Sequence, residues 1–184
     1  MLATVTDQDL EMHQLDFKTA FLNGILDEEV YIEQPPGYNT GNPNHACKLI
    51  KALYGLKQAP RAWHTTLKAE LSNLGFTESE ADAGLFISSN KTIYLLTYVD
   101  DLLVICSDHN ALASTKHKLM AAFDARDLGP TTFFLGMDIT RDRDVKTIKL
   151  SQHRLIQDLL TKFNMDDAKT IATPSSTSIK LTKD

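Results

Sequence analysis

Long apolar runs are missing from this sequence. The longest charge-free ones are Thr92–Val99 and, after Asp100-Asp101, Leu102–Cys106. Both fall well short of the roughly 18–20 residues that a membrane-spanning helix needs. Cysteine is scarce: Cys47 and Cys106 are too few for a disulfide framework and lack zinc spacing, so they fit a reducing compartment. Six prolines and eight glycines among 184 residues are too few for a disordered or low-complexity chain. The first residues carry Asp7, Asp9 and Glu11 where a secretory signal would have basic residues and then an apolar core. The six histidines, His13, His45, His64, His109, His117 and His153, are scattered without metal spacing and read as surface residues. No Ser-His or Cys-His arrangement suggests a protein nucleophile.

What is present is an ordinary globular composition, 42% hydrophobic and 23% charged, of single-domain length. Charge is unevenly spread. Between Gln34 and Ala69 there is no acidic residue, while Lys48, Lys51, Lys57, Arg61 and Lys68 contribute +5, leaving −10 for the rest of a chain whose net charge is −5. Such a window suits a local phosphate-facing patch on an acidic body. An overall negative charge by itself argues against a nucleic-acid binder.

Along the chain, Met12–Phe17 and Val30–Glu33 read as strands, with a helical turn over Thr19–Leu22 and a polar loop over Tyr38–Ala46. Lys48–Tyr54 is short and apolar at alternate positions. Trp63, Leu67, Leu71 and Leu74 form one apolar stripe, predicting a helix from about Pro60 to Leu74 that ends at Gly75. Leu85–Ser88 is a weaker strand. Thr92–Val99 and Leu102–Cys106 read as a hairpin turning at Asp100-Asp101. Ser107 or Asp108 caps a helix to about Phe123 with Leu112, Leu119, Met120 and Phe123 inward, and Gly129-Pro130 breaks the chain. Thr132–Thr140 and Thr147–Leu150 read as strands joined at Arg141–Asp144. Ser151 caps a last helix with Leu155, Leu159, Leu160 and Phe163. The order is mixed α+β with antiparallel pairing at the centre.

Asp100 and Asp101 stand out. Two adjacent carboxylates at the tip of an apolar hairpin repel each other, and buried arms limit their escape into water. A solvated turn is the plainer reading, since Asp is a common turn residue. The sharper one is a divalent cation offsetting the repulsion, because hard cations take carboxylate oxygens and substrate phosphates. Asp16 is the best further carboxylate. It ends a strand-like segment between Leu15 and Phe17, and that strand can pair with the hairpin. Asp7, Asp9 and Glu11 sit in an unremarkable polar setting. Three carboxylates from neighbouring strands suit a pair of metals about 3.5–4 Å apart, which serve in-line displacement at phosphorus.

Four segments then occur in order: QLDFKTAFLNG at 14–24, LYGLKQAPRAW at 53–63, YVDD at 98–101 and FLGMDI at 134–139. Together they closely resemble the reverse transcriptase of copia-type LTR retrotransposons, over about Leu2 to Pro174. The resemblance implies an RNA-directed DNA polymerase palm: an antiparallel sheet of three or four strands with helices on one face, partial fingers and the start of a thumb over residues 1–165. A loose tail would occupy 166–184. Asp16 and Asp100 would be the metal-binding aspartates and Asp101 their supporting neighbour, holding two Mg2+ ions, with Mn2+ as a substitute. A primer 3′-hydroxyl would attack the α-phosphate of a deoxynucleoside triphosphate. Phe21 would be a steric gate that rejects the ribose 2′-hydroxyl; an ordinary core Phe is the alternative. Tyr54, Gly55 and Gln58 would lie under the template and incoming base, with Gly55 permitting close backbone approach. Lys57 and Arg61 would meet phosphate or template backbone, and Trp63 would be core. Leu135 and Gly136 would be the primer grip.

The implied partners are an RNA or DNA template with primer and deoxynucleoside triphosphates, without a membrane. The implied location is a cytoplasmic virus-like particle, the nucleus or both. Residues 1–15 hold no Lys or Arg of the kind the family's fingers supply to the triphosphate, so the chain reads as a polyprotein fragment starting at an internal methionine. RNase H, integrase and the rest of the thumb lie elsewhere in such a polyprotein. The expectation is little polymerase activity from this chain alone, an under-covered flank on the sheet and a tendency to aggregate. Two other readings stay open: a non-catalytic remnant that binds nucleic acid or a protein partner, and a different two-metal phosphoryl enzyme such as a nuclease.

Overall fold

The computed structural model describes residues 1–38, 41–42 and 44–172. Its centre is a six-stranded antiparallel sheet. The strands are β1 (Glu11–Phe17), β4 (Phe76–Glu78), β5 (Leu85–Ser88), β6 (Ile93–Tyr98), β7 (Asp101–Cys106) and β8 (Ala125–Pro130), in the order β4-β5-β6-β7-β1-β8. A separate hairpin joins β2 (Ile25–Glu33) to β3 (Ala46–Lys51). A three-stranded sheet holds β9 (Phe133–Phe134), β10 (Met137–Asp142) and β11 (Thr147–Ser151). The helices are α1 (Leu2–Asp7), α2 (Ala59–Asn73), α3 (His109–Ala122) and α4 (His153–Lys162). None among the described residues is long and apolar enough to cross a membrane.

The period-2 alternation of β1 and β7 divides the core in two. Leu15, Phe17, Leu102, Val104 and Cys106 face α2 and α3, where Trp63, Leu67, Leu71, Leu112, Leu119 and Phe123 meet them. Met12, Leu103 and Ile105 face the other way. They are covered by Val5 of α1 and by Phe134 and Ile139 of the small sheet. The long helices therefore do share one face, and the opposite face is closed by strands and one short helix.

Several expectations need correction. The sheet has six strands rather than three or four. The Gly129-Pro130 breaker lies inside β8, where an edge strand tolerates a proline that has no N–H to give a neighbour. Thr132–Thr140 is two strands with a two-residue turn at Leu135-Gly136, both with positive φ (49° and 79°). This is the backbone of a tight hairpin with matching twist. Met120 is 41% exposed, because the inward stripe of α3 runs Leu112, Thr115, Leu119 and Phe123 and leaves Met120 a third of a turn away. Asp108 caps α3, its Oδ1 accepting from Asn110 N–H at 2.8 Å. Ser151 belongs to β11, and α4 begins after Gln152 without a side-chain cap. No residue of α4 is fully buried, and Leu155, Ile156 and Leu159 lie open. Of the expected tail, 166–172 has no helix or strand, and 173–184 lie outside the described residues.

Two contacts fix the parts around the sheet. Gly24 passes so close to α2 that a Cβ there would stand 2.7 Å from Trp63 N. This presses the 3-10 turn Ala20–Asn23 against the helix. Arg141 of β10 reaches across to the α1–β1 junction, donating to Leu10 O at 2.5 Å, Val5 O at 3.2 Å and Asp9 Oδ1 at 2.6 Å. Arg143 adds bonds to Asp9 and Glu11. Two of the acidic residues that looked unremarkable in the sequence thus tie the small sheet to the central one.

Candidate active site

β1 and β7 are antiparallel neighbours, and their register places Asp16 directly opposite Asp101. Directly opposed residues project from the same face, the one that also carries Gln14 and Met12. The hairpin turn lies one residue earlier than the sequence suggested. Tyr98 pairs with Asp101, so Val99 and Asp100 form the two-residue loop and Asp101 opens β7. Val99 has φ +54°, a value that β-branched residues avoid. Asp100 O accepts from Phe17 N–H at 2.7 Å, pinning the turn to the end of β1.

Asp101 feels its neighbours. Burial pushes its carboxyl above the ordinary value, a hydrogen bond from Gln14 Nε2 at 2.7 Å opposes that, and the charges of Asp16 and Asp100 push it up further. The charges of all three carboxylates are therefore felt at one point. Asp100 Oδ1 accepts from Ala20 N–H at 3.2 Å and from the Tyr54 hydroxyl at 2.7 Å. Burial raises the Tyr54 phenol, and the bond to Asp100 raises it further. As these side chains stand, no group of three or more His, Cys, Asp and Glu among the described residues is arranged to hold a metal ion. The donor chemistry nevertheless suits a hard cation: oxygen ligands only, mutually repelling, partly withdrawn from water. An ion that recruited Asp100 Oδ1 would compete with the Tyr54 hydroxyl for it.

The Phe21 and Tyr54 rings pack at a tilt of 44°, with centroids 4.7 Å apart, beside Asp100. Gly55 has φ +96° with open space around it, so the backbone conformation, not a close approach within the protein, calls for glycine there. Gln58 precedes the first residue of α2 and makes no capping bond. Lys57 and Arg61 are exposed, and neither side chain makes a hydrogen bond or ion pair among the described residues. Leu135 and Gly136 form the tip of the β9–β10 hairpin. Phe134 of that hairpin packs with Met12, Leu103 and Ile105, on the sheet face that carries Asp16 and Asp101. The structure thus brings Asp16, Asp100, Asp101, Phe21 and Tyr54 into one cluster, puts the Leu135-Gly136 hairpin on the same face, and sets Lys57 and Arg61 where the loop enters α2.

Two residues escaped the sequence reading, and a third has a contact it did not foresee. Gln14 sits two positions before Asp16 on the same face, a spacing that could have suggested it. Arg126 of β8 is opposite Asp16 on the other side, exposed and without an ion pair among the described residues. No local signal marks it, since the register between distant strands decides its place. Trp63 is core as expected, 3% exposed, but its indole N–H also donates to Val99 O at 2.9 Å.

The sequence has clear relatives. The family model described as "Reverse transcriptase (RNA-dependent DNA polymerase)" matches residues 1–177. The chain is 42% identical to the retrovirus-related Pol polyprotein from transposon TNT 1-94 of Nicotiana tabacum, over 100% of this chain and 14% of that protein. It is 42% identical to that from transposon RE1 of Arabidopsis thaliana, over 98% and 12%. It is also 39% identical to the putative transposon Ty5-1 protein YCL074W of Saccharomyces cerevisiae, over 68% and 42%. The chain spans only about an eighth of the length of the two plant polyproteins. Among solved structures it is similar to an apo telomerase from Candida tropicalis, at TM-score 0.45 and 14% identity over 81% of this chain and 38% of that one, too loosely to carry an argument. On the match across nearly its whole length, the chain belongs to the reverse transcriptase (RNA-dependent DNA polymerase) family, with relatives carried in transposon Pol polyproteins.

Proposed function

We propose that this chain is the catalytic palm of an RNA-directed DNA polymerase, adding deoxynucleotides to a primer 3′-hydroxyl. The observation that carries the reading is the register that sets Asp16 opposite Asp101, with Asp100 at the adjoining turn. Asp16, Asp100 and Asp101 would hold two Mg2+ ions, or Mn2+ in their place. Bound there, such ions lower the cost of forming the attacking alkoxide and of releasing the leaving oxygen. The reaction joins the primer 3′-oxygen to the α-phosphorus and breaks the bond from that phosphorus to the pyrophosphate, which leaves.

The chain's own residues bind and orient. Phe21, backed by Tyr54, would lie beneath the sugar and reject a 2′-hydroxyl by volume. Gly55 and Gln58 would face the template and incoming base. Lys57 and Arg61, whose side chains make no hydrogen bond or ion pair among the described residues, would meet phosphate. Leu135 and Gly136 would hold the primer end above the carboxylates. The template would be RNA or DNA, and the setting a cytoplasmic particle, the nucleus or both. The same boundaries apply as in the sequence: palm, partial fingers and first thumb elements over 1–165.

The test is primer extension on an RNA template with Mg2+ or Mn2+, wild type against Asp100→Asn. Incorporation abolished by the substitution supports the proposal. Incorporation unaffected by it refutes the metal role. Template binding by wild type and Asp100→Asn alike, with no incorporation by either, favours a non-catalytic nucleic-acid-binding module.

A further inference from the structure

Trp63 is the only tryptophan of the chain. Its ring packs edge-on against Phe17 and Phe123, centroids 5.3 Å away in each case, so packing alone would account for an aromatic residue here. It does not account for an indole. A buried indole N–H needs an acceptor, and this one is satisfied by the carbonyl of Val99, in the turn between β6 and β7. Val99 is the first residue of a two-residue hairpin loop and has φ +54°. Glycine is the residue that such a position prefers. A β-branched residue resists it, so something outside the turn must hold it there. Relaxing Val99 to negative φ would swing its carbonyl away from the indole and carry the Asp100 Cα with it.

We propose that Trp63 is a positioning residue for the carboxylate turn: its indole N–H, delivered from α2, keeps Val99 in the left-handed region and so presents Asp100 beside Asp16 and Asp101. Phe17 N–H holds the next carbonyl from the other side, so the turn is clamped between β1 and α2. The inference rests on the reading that these carboxylates take divalent cations.

The test removes the N–H and keeps the ring. Trp63→Phe and, as an isostere that spares the packing, β-(3-benzothienyl)alanine at position 63 are compared with wild type in the full 184-residue chain. Mn2+ alone is the probe, titrated by calorimetry or by the resonance signal of the free ion, with Asp100→Asn as the blank. Loss of the N–H should weaken Mn2+ binding by about five- to tenfold. Adding Val99→Gly, which adopts positive φ without strain, should restore it to within about twofold. An unchanged affinity overturns the proposal, and so does a loss that Val99→Gly fails to restore, which would mean a packing role only. If wild type shows no site that Asp100→Asn removes, the metal reading fails, and the clamp is still decided by nuclear magnetic resonance. The single indole proton should be protected from exchange with water, and the Val99 carbon shifts should leave the left-handed region when the N–H is removed. A rapidly exchanging indole, or a Val99 that keeps positive φ without it, overturns the proposal.

Discussion

Replacing Tyr54 by Phe should tighten metal binding rather than weaken it. The Tyr54 hydroxyl donates to Asp100 Oδ1 at 2.7 Å, and Ala20 N–H donates to the same oxygen at 3.2 Å. Both hydrogen bonds fall on that one oxygen and tie it to Ala20 and Tyr54. A cation that recruits this oxygen must compete with the Tyr54 bond. Hydrogen bonds to charged groups contribute roughly 1.5–3 kcal/mol. Tyr54 is half exposed, and water competes for both partners, so about 1 kcal/mol is the fitting figure. Tyr54→Phe keeps the ring against Phe21 and removes only the hydroxyl. Mn2+ affinity should then rise about fivefold, since 1.4 kcal/mol is about tenfold. Calorimetric Mn2+ titration of the two chains, each blanked with its Asp100→Asn counterpart, measures this. Unchanged or weaker binding in Tyr54→Phe would show that the hydroxyl supports the cation-holding arrangement, and the displacement argument would be wrong.

Other outcomes follow from the same contacts. Asp101→Asn should raise the unfolding midpoint near pH 7, followed by thermal denaturation across pH. A carboxyl raised in the folded state binds more protons than in the unfolded chain, so wild-type stability falls as pH rises from its ordinary value through the raised one; the amide removes that loss. Wild type and variant showing the same pH slope would contradict the raised carboxyl. Gly24→Ala should cost about 1–3 kcal/mol in urea unfolding, because the added methyl meets backbone atoms of Trp63 and Ala62; a change under about 0.5 kcal/mol would show that α2 can yield. Arg141→Met should cost about 2–3 kcal/mol in the same assay, since it strips donors from Val5 O and Leu10 O, and hydrogen exchange should quicken first in α1.

The sequence alone determined α2 and α3, because an apolar residue every three or four positions can bury itself only in that form; it did not mark α1. The 4-4-3 stripe at Trp63, Leu67, Leu71 and Leu74 located α2 to within a residue. It also determined the family, since runs such as YVDD and LYGLKQAPRAW hold their information in local order. Strands were another matter. β4 has three residues and β8 contains Gly-Pro, and neither can be told from loop until a neighbouring strand accepts its hydrogen bonds. Tertiary structure alone decided where each functional side chain goes. The register of β1 on β7 and β8, a matter of hydrogen bonds between distant segments, set Asp16 between Asp101 and Arg126. The docking of α2 on the sheet aimed one indole N–H at the turn that carries Asp100. A one-residue slip in the strand pairing would have sent the same carboxylates to the opposite face, and no feature of the local sequence forbids that slip; the two buried faces do.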